Sequence, residues 1–182
     1  MNHDDWDFRK IADQKWGDVK IVVSWSRIPG RKKWYGIGVD PGRNFSVATL
    51  DGREAWLFRG ILTNVDKTKK YLYAEEAFDI MAKGLNYYGQ GSAVVEGAAF
   101  KSTYGQADLA HVRMGFYLGL RAAGHNVSIH PPSTIRANAL GKGSLGGLEV
   151  WPELNHNDGD SLATALYAAG LRKGDLKGSH LK

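Results

Sequence analysis

Hydrophobic and polar positions change period along this chain, and the changes divide it into elements. Ile21-Val22-Val23-Ser24-Trp25 is a short β-branched run that predicts a strand. Tyr35 to Asp40 predicts a buried strand, and Pro41-Gly42-Arg43-Asn44 a tight turn. Phe45 to Leu50 continues as a strand, Asp51-Gly52 signals a type I′ hairpin, and Arg53 to Leu62 supplies the next strand. Three strands joined by short turns make an antiparallel meander. The period then becomes helical. Over 65–87, Tyr71, Ala74, Phe78, Met81 and Leu85 recur at steps of three and four, one apolar stripe. Ser92 to Glu96 is a short valine-rich strand. A second helix is predicted over 104–123 with Gly124 as its C-cap, and it carries two stripes. Leu109, Val112, Phe116 and Leu120 form one; Ala107, Ala110, Met114 and Tyr117 form the other. One stripe covers a sheet, and the other faces either a partner subunit or more of the same chain.

Asn126 to His130 predicts a fifth core strand, ended by Pro131-Pro132. Ser133 is the expected cap of a short helix through Leu140, Gly141 to Gly147 a mobile glycine-rich loop, and 159–169 the last helix, ended by Gly170. Residues 1–34 read differently: mixed charge, isolated tryptophans and a closing Pro29-Gly30-Arg31-Lys32-Lys33. They are expected to be an extension, packed on the core or serving as a basic arm. The main domain is then 35–171, and 172–182 a basic tail.

Composition narrows the classes. The 182 residues suffice for one domain with a real core, and 43% hydrophobic with 24% charged residues is ordinary for a soluble protein. No apolar run approaches the roughly 20 residues of a membrane span, and Met1-Asn2-His3-Asp4-Asp5-Trp6 has no secretory character. The absence of cysteine excludes disulfides, thiolate metal sites and a cysteine nucleophile. A cytoplasmic setting is expected. Lys and Arg number 24 against 19 Asp and Glu, a net charge of +5 that favours an anionic partner such as nucleic acid. The basic residues gather in 27–33, 67–70, the Gly141-Lys142-Gly143 loop and the tail.

Against this background three acidic residues stand out. Asp40 ends the strand Tyr35-Gly36-Ile37-Gly38-Val39, Glu96 ends Ala93-Val94-Val95, and Asp160 lies in Asn157-Asp158-Gly159-Asp160-Ser161-Leu162-Ala163 at the start of an alanine-rich helix. Oxygen-only ligands converging from strand ends suit hard divalent ions such as Mg²⁺. Two such ions about 4 Å apart drive in-line attack on a phosphodiester. The expectation is a metal-dependent nuclease.

The element order, three strands and then helix, strand, helix, strand, helix, is that of an α/β ribonuclease H-like fold: a five-stranded mixed sheet, meander plus parallel strands, flanked by helices. Four motifs carry a closer resemblance. They are Gly36-Ile37-Gly38-Val39-Asp40-Pro41-Gly42; Val94-Val95-Glu96 with Arg113-Met114-Gly115 on the following helix; Pro131-Pro132-Ser133-Thr134-Ile135-Arg136 leading to Gly141-Lys142-Gly143; and Asp160-Ser161-Leu162-Ala163. Over roughly 35–171 the chain resembles the RuvC-type Holliday junction resolvases. The resemblance implies a homodimeric endonuclease that cuts four-way DNA junctions, leaving 5′-phosphate and 3′-hydroxyl ends. It implies two Mg²⁺ per site, with Mn²⁺ able to substitute, held by Asp40, Glu96, Asp160 and a fourth ligand. Family members carry that ligand, Asp or His, three residues before the last aspartate. Here that position is Asn157, between His156 and Asp158, and Asp158 is the choice if the helix starts a residue later. No counterpart exists for the lysine often found just after the glycine-flanked loop.

Lys142, Arg136 and Lys101 are candidate phosphate contacts, with a plain solvated charge the simpler reading of Lys101. Phe100 and Tyr104 either stack on an unpaired base or pack beneath the second helix. The two-striped helix over 104–123 is the expected dimer interface, since a junction has two symmetric scissile strands. Two other functions fit the same residues: a ribonuclease H-fold nuclease acting on flaps or RNA–DNA hybrids, and a non-catalytic protein that binds branched DNA.

Overall fold

A computed structural model describes residues 19–24, 35–51, 54–62, 71–84, 91–98, 106–152, 154–175 and 180–181. The strands are β1 (Val19–Ser24), β2 (Tyr35–Asp40), β3 (Asn44–Asp51), β4 (Glu54–Ile61), β5 (Ser92–Glu96), β6 (Asn126–His130) and β7 (His180–Leu181). The helices are α1 (Tyr71–Gly84), α2 (Gln106–Ala122), α3 (Pro132–Leu140), α4 (Gly147–Val150) and α5 (His156–Ala168). One sheet holds all the strands in the order β6-β5-β2-β3-β4-β1-β7. The meander β2-β3-β4 is antiparallel, and β5 and β6 add in parallel to β2. These five strands are the expected ribonuclease H-like sheet. Two more extend it, because the β-branched run in the extension pairs antiparallel with β4 and two residues of the tail pair with β1.

Strand alternation sorts the core into two layers. Ile37, Val39, Phe45, Val47 and Phe58 face α1 and α2, where Ile80, Met81, Val112, Phe116 and Leu120 are buried with them. The Phe116 ring meets Phe45 at a centroid distance of 5.1 Å, tilted 57°. Burial of such a side chain is worth about 1.5–3 kcal/mol. On the opposite face Ala48, Leu50 and Leu57 pack with Leu140, Trp151, Leu162 and Leu166 from the α3–α5 side.

The first stripe of α2 is its core face, as expected: Val112, Phe116 and Leu120 are buried. On α1 Met81 of the expected stripe is buried, but the inner face otherwise shifts off it. Ala77, Ile80, Met81 and Gly84 are buried, whereas Tyr71 is 53% and Phe78 37% exposed. Gly115 and Gly119 explain the shift, since they bring the α2 backbone onto Ala74 and Phe78 and rotate the inner face of α1 past those residues. Leu85 and Ala107 lie outside the residues whose side chains are described.

Two helix starts also differ, and one short helix is added. Pro131, not Ser133, is the N-cap of α3, with Pro132 in the first helical turn, where a missing N–H costs nothing. Gly141 ends that helix at φ 89°, and the glycine-rich stretch then closes into the single turn of α4. Helix α5 starts at His156, because Asn155 accepts a hydrogen bond from the Asp158 amide at 2.8 Å and caps it earlier than the acidic residues would.

Candidate active site

Strand pairing lines up the chemistry. The parallel register Val39↔Val95 sets Asp40 and Glu96 side by side at their strand ends. Glu96 pairs in turn with His130, Asp40 with Ser46, and Ser46 with Arg59. Paired residues on neighbouring strands share a sheet face. His130, Glu96, Asp40, Ser46 and Arg59 therefore form one polar row across five strands, on the α5 side.

Helix α5 reaches this row because two alternate positions of β2 have no side chain. A β-carbon at Gly38 would collide with the Ala165 nitrogen and the Ser161 carbonyl oxygen, and one at Gly36 with the Ala165 oxygen. The helix thus lies backbone against backbone on β2 and brings its first two turns to the strand end. Asp158 and Asp160 are both buried there.

Asp160 has defined partners. Its Oδ1 accepts from the Gly147 amide at 2.9 Å, and its Oδ2 accepts from Arg136 at 2.8 Å. His156 Nδ1 lies 3.3 Å from the same Oδ2. The Nε of Arg136 is buried with no hydrogen-bond acceptor among the described residues. Asp158 turns elsewhere: its Oδ1 accepts from Ser46 at 2.8 Å, and its Oδ2 accepts from both Nε (2.6 Å) and a terminal nitrogen of Arg59. Asn157 donates to the Asn44 carbonyl at 3.3 Å.

The electrostatics of the row are those of crowded anions. Burial first, then Glu96 and Asp160, push the Asp40 carboxyl from 3.8 up to about 8; Arg136 opposes the shift and Asp158 adds to it. Burial and then Asp160 push Glu96 from 4.5 up to about 7, against Arg136 and Arg113. Arg113 donates from Nε to the Glu96 carbonyl at 2.8 Å. Burial lowers its own pKa, and Glu96 and Asp40 hold it up.

The structure thus brings Asp40, Glu96, Asp158, Asp160 and Arg136 to one end of the sheet. Lys142 is exposed on the loop after α3. Phe100, Lys101 and Tyr104 lie outside the described residues. Sequence reasoning missed Arg113, Ser46 and Arg59 as members of the site. The signal for both arginines was a cation at an interior position, Arg59 between Phe58 and Gly60 of a strand and Arg113 between Val112 and Met114 of a two-striped helix.

Among the described residues, no three acidic or histidine side chains stand at ion-holding spacing as placed. Asp40, Glu96 and Asp160 nevertheless suit Mg²⁺ as a donor set: three hard carboxylates from three elements, two of them with raised pKa values that a dication would relieve. Asp160 must turn from Arg136 to join them.

Two solved structures share this architecture. The Thermus thermophilus RuvC structure matches with a TM-score of 0.58 and 16% identity, over 74% of this chain and 92% of that one. This chain has the RuvC fold. T. thermophilus RuvC in complex with Holliday junction substrate matches at 0.54 and 18% identity, over 79% of this chain and 98% of that one. No protein-family model matches the sequence, nor does any curated protein. Within the RuvC-like core, no helix among the described residues is long and apolar enough to cross a membrane.

Proposed function

We infer that this protein is a metal-dependent endonuclease that resolves four-way DNA junctions, working as a homodimer in the cytoplasm. The observation that carries the reading is the pair of half-buried carboxylates, Asp40 and Glu96, set side by side at neighbouring strand ends and raised together, with Asp160 beside them. Carboxylates crowded and desolvated in this way are costly to the fold, and such perturbation clusters at functional sites. The RuvC fold, shared with a protein solved on a Holliday junction, supplies the substrate class.

In this reading Asp40, Glu96 and Asp160 hold the ions. Mg²⁺ or Mn²⁺, when bound in pairs, supplies water activation and charge neutralisation at the departing 3′ oxygen, giving 5′-phosphate and 3′-hydroxyl ends. Arg113 fixes the Glu96 main chain and keeps positive charge behind the carboxylates. Arg136, with its unfilled Nε, passes from Asp160 to a DNA phosphate, and Lys142 adds a second phosphate contact from the neighbouring loop. Such contacts set the register of the duplex without reading its sequence. Lys101, Phe100 and Tyr104 follow Glu96 in sequence and are kept as candidates for DNA contact on that ground alone.

The dimer forms through α2. Met114 is 47% and Leu118 48% exposed, and a groove of about 430 Å³ between α1 and α2 is lined by Ala74, Phe78, Met114, Gly115 and Leu118, with Glu75 and Asp79 beside them. A second copy related by a two-fold axis covers this apolar strip and presents two sites to two strands.

The ion pair between Arg136 and Asp160 favours one second reading, a non-catalytic branched-DNA-binding protein with a closed site. One experiment separates the two. Labelled four-way junction, linear duplex, flap and RNA–DNA hybrid are each incubated with Mg²⁺, Mn²⁺ or EDTA, beside Asp40→Asn. Symmetric metal-dependent nicks in the junction alone, absent from the variant, are expected. Cleavage of flap or hybrid instead reassigns the substrate, and junction binding with no cutting in either metal rejects the nuclease.

A further inference from the structure

Asp158 and Asp160 lie two residues apart on α5, so at 3.6 residues per turn they point to sides of the helix about 200° apart. Asp160 turns to Arg136 and the Gly147 amide; Asp158 turns to β3 and β4. The second carboxylate is completely buried and its partners come from across the sheet: the Ser46 hydroxyl on β3 and a forked Arg59 on β4. Ser161 adds a second tie, standing 3.0 Å from the Ser46 hydroxyl while its own hydroxyl donates to the Asp158 carbonyl at 3.0 Å.

The carboxylate of this pair is buried while Arg59 stays 34% exposed. Ion pairs taken out of water are seldom more stabilising than an apolar pair of the same volume, and fixing register is their best-attested use. Here the register at stake is that of α5 along the sheet. Contacts at Gly36 and Gly38 hold the helix against β2 but run along its length, whereas Arg59 and Ser46 seize the first turn. That turn carries Asp160.

We propose that Arg59 and Asp158 form a positioning brace, in which Asp158 is no ligand but the anchor that sets the first turn of α5 so that Asp160 meets Asp40 and Glu96. The proposal rests on the metal-site reading above. It gives Asp158 and Asp160 separate duties on one helix turn, one toward the sheet and one toward the ion.

The full-length protein with Arg59→Met, Arg59→Lys and Asp158→Asn tests it, by calorimetric Mn²⁺ titration and by hydrogen–deuterium exchange over residues 156–162. Loss of a supporting partner behind a metal ligand typically weakens affinity 10–100-fold. Arg59→Met should lose Mn²⁺ affinity by that factor and exchange faster at the start of α5. Arg59→Lys should recover part of both, and Asp158→Asn, which keeps a group for Ser46, should fall between. If Arg59→Met fails to fold, the paired change Arg59→Met with Asp158→Leu removes both charges and should show the same losses. Unchanged or tighter Mn²⁺ binding in Arg59→Met overturns the proposal, since Asp158 would then be a ligand that Arg59 competes for. A wild-type protein that binds no Mn²⁺ rejects the metal-site reading instead. The brace is then decided by exchange alone, and unaltered exchange at 156–162 rejects it.

Discussion

Asp40→Asn should make the metal-free protein more stable to heat, by an amount that grows with pH. The folded-state value of Asp40, about 8, lies above the unfolded 3.8. Its contribution to stability is therefore intact below about pH 4 and is lost as pH rises through about 8. By linkage the loss is about 1.4 kcal/mol per pH unit inside that window, so the interval from pH 5 to pH 8 carries at most about 4 kcal/mol. Water still reaches the strand end, and screening brings the expected gain of the variant to about 2 kcal/mol. For a domain of this size that is about 4–8 °C in Tm. Thermal melts by circular dichroism in EDTA at pH 5 and pH 8 would measure it. Excess Mg²⁺ should then raise the Tm of the wild type more than that of the variant, because only the wild type gains by neutralising the charge. A variant that melts at or below the wild-type temperature at pH 8, or a gap that does not widen with pH, would refute the view that Asp40 is held as a crowded, desolvated acid.

Four further outcomes follow from the same geometry. Gly38→Ala should lower stability by about 3 kcal/mol or more, read by urea titration, because the new methyl meets main-chain atoms of α5 that cannot step aside. Arg136→Ala should tighten Mn²⁺ binding in a calorimetric titration, since it frees Asp160 from a cation, while weakening four-way junction binding. Lys142→Ala should reduce the slope of log K against log salt for junction binding by about 1, the value for one phosphate contact, with little change in Tm. If the proposed α2 dimer forms, Leu118→Glu should convert it to monomer in sedimentation velocity and leave the monomer folded, because Leu118 is 48% exposed within one chain.

Much of the sheet was legible because its strands obey simple rules. Alternation in 35–40 and 45–50, the Asp51-Gly52 signal and the valine run before Glu96 each report local structure, and local structure decides strands this short. Asp40 and Glu96 stand out in the sequence as carboxylates that end buried runs, and the parallel register sets them side by side. What escaped depended on distant parts. The inner face of α1 was displaced because Gly115 and Gly119, more than thirty residues on, decide how α2 crosses it. The partners of Asp158 could not be read because Arg59 lies 99 residues away and reaches it only through the β3–β4 register. Helix α5 began early because Asn155 competed with two acidic caps of similar strength, and propensity alone does not rank them.

The seating of α5 on Gly36 and Gly38 has a consequence for how this protein can vary. Where two elements are separated by side chains, drift in those side chains changes the spacing between whatever the elements carry. Here the spacer is the peptide backbone itself, which is the same in every sequence. Substitutions among the buried leucines and valines of either core layer should therefore erode stability well before they alter the separation of Asp40 from Asp160. Sequence can diverge widely around such a contact while the inter-element distance stays constant.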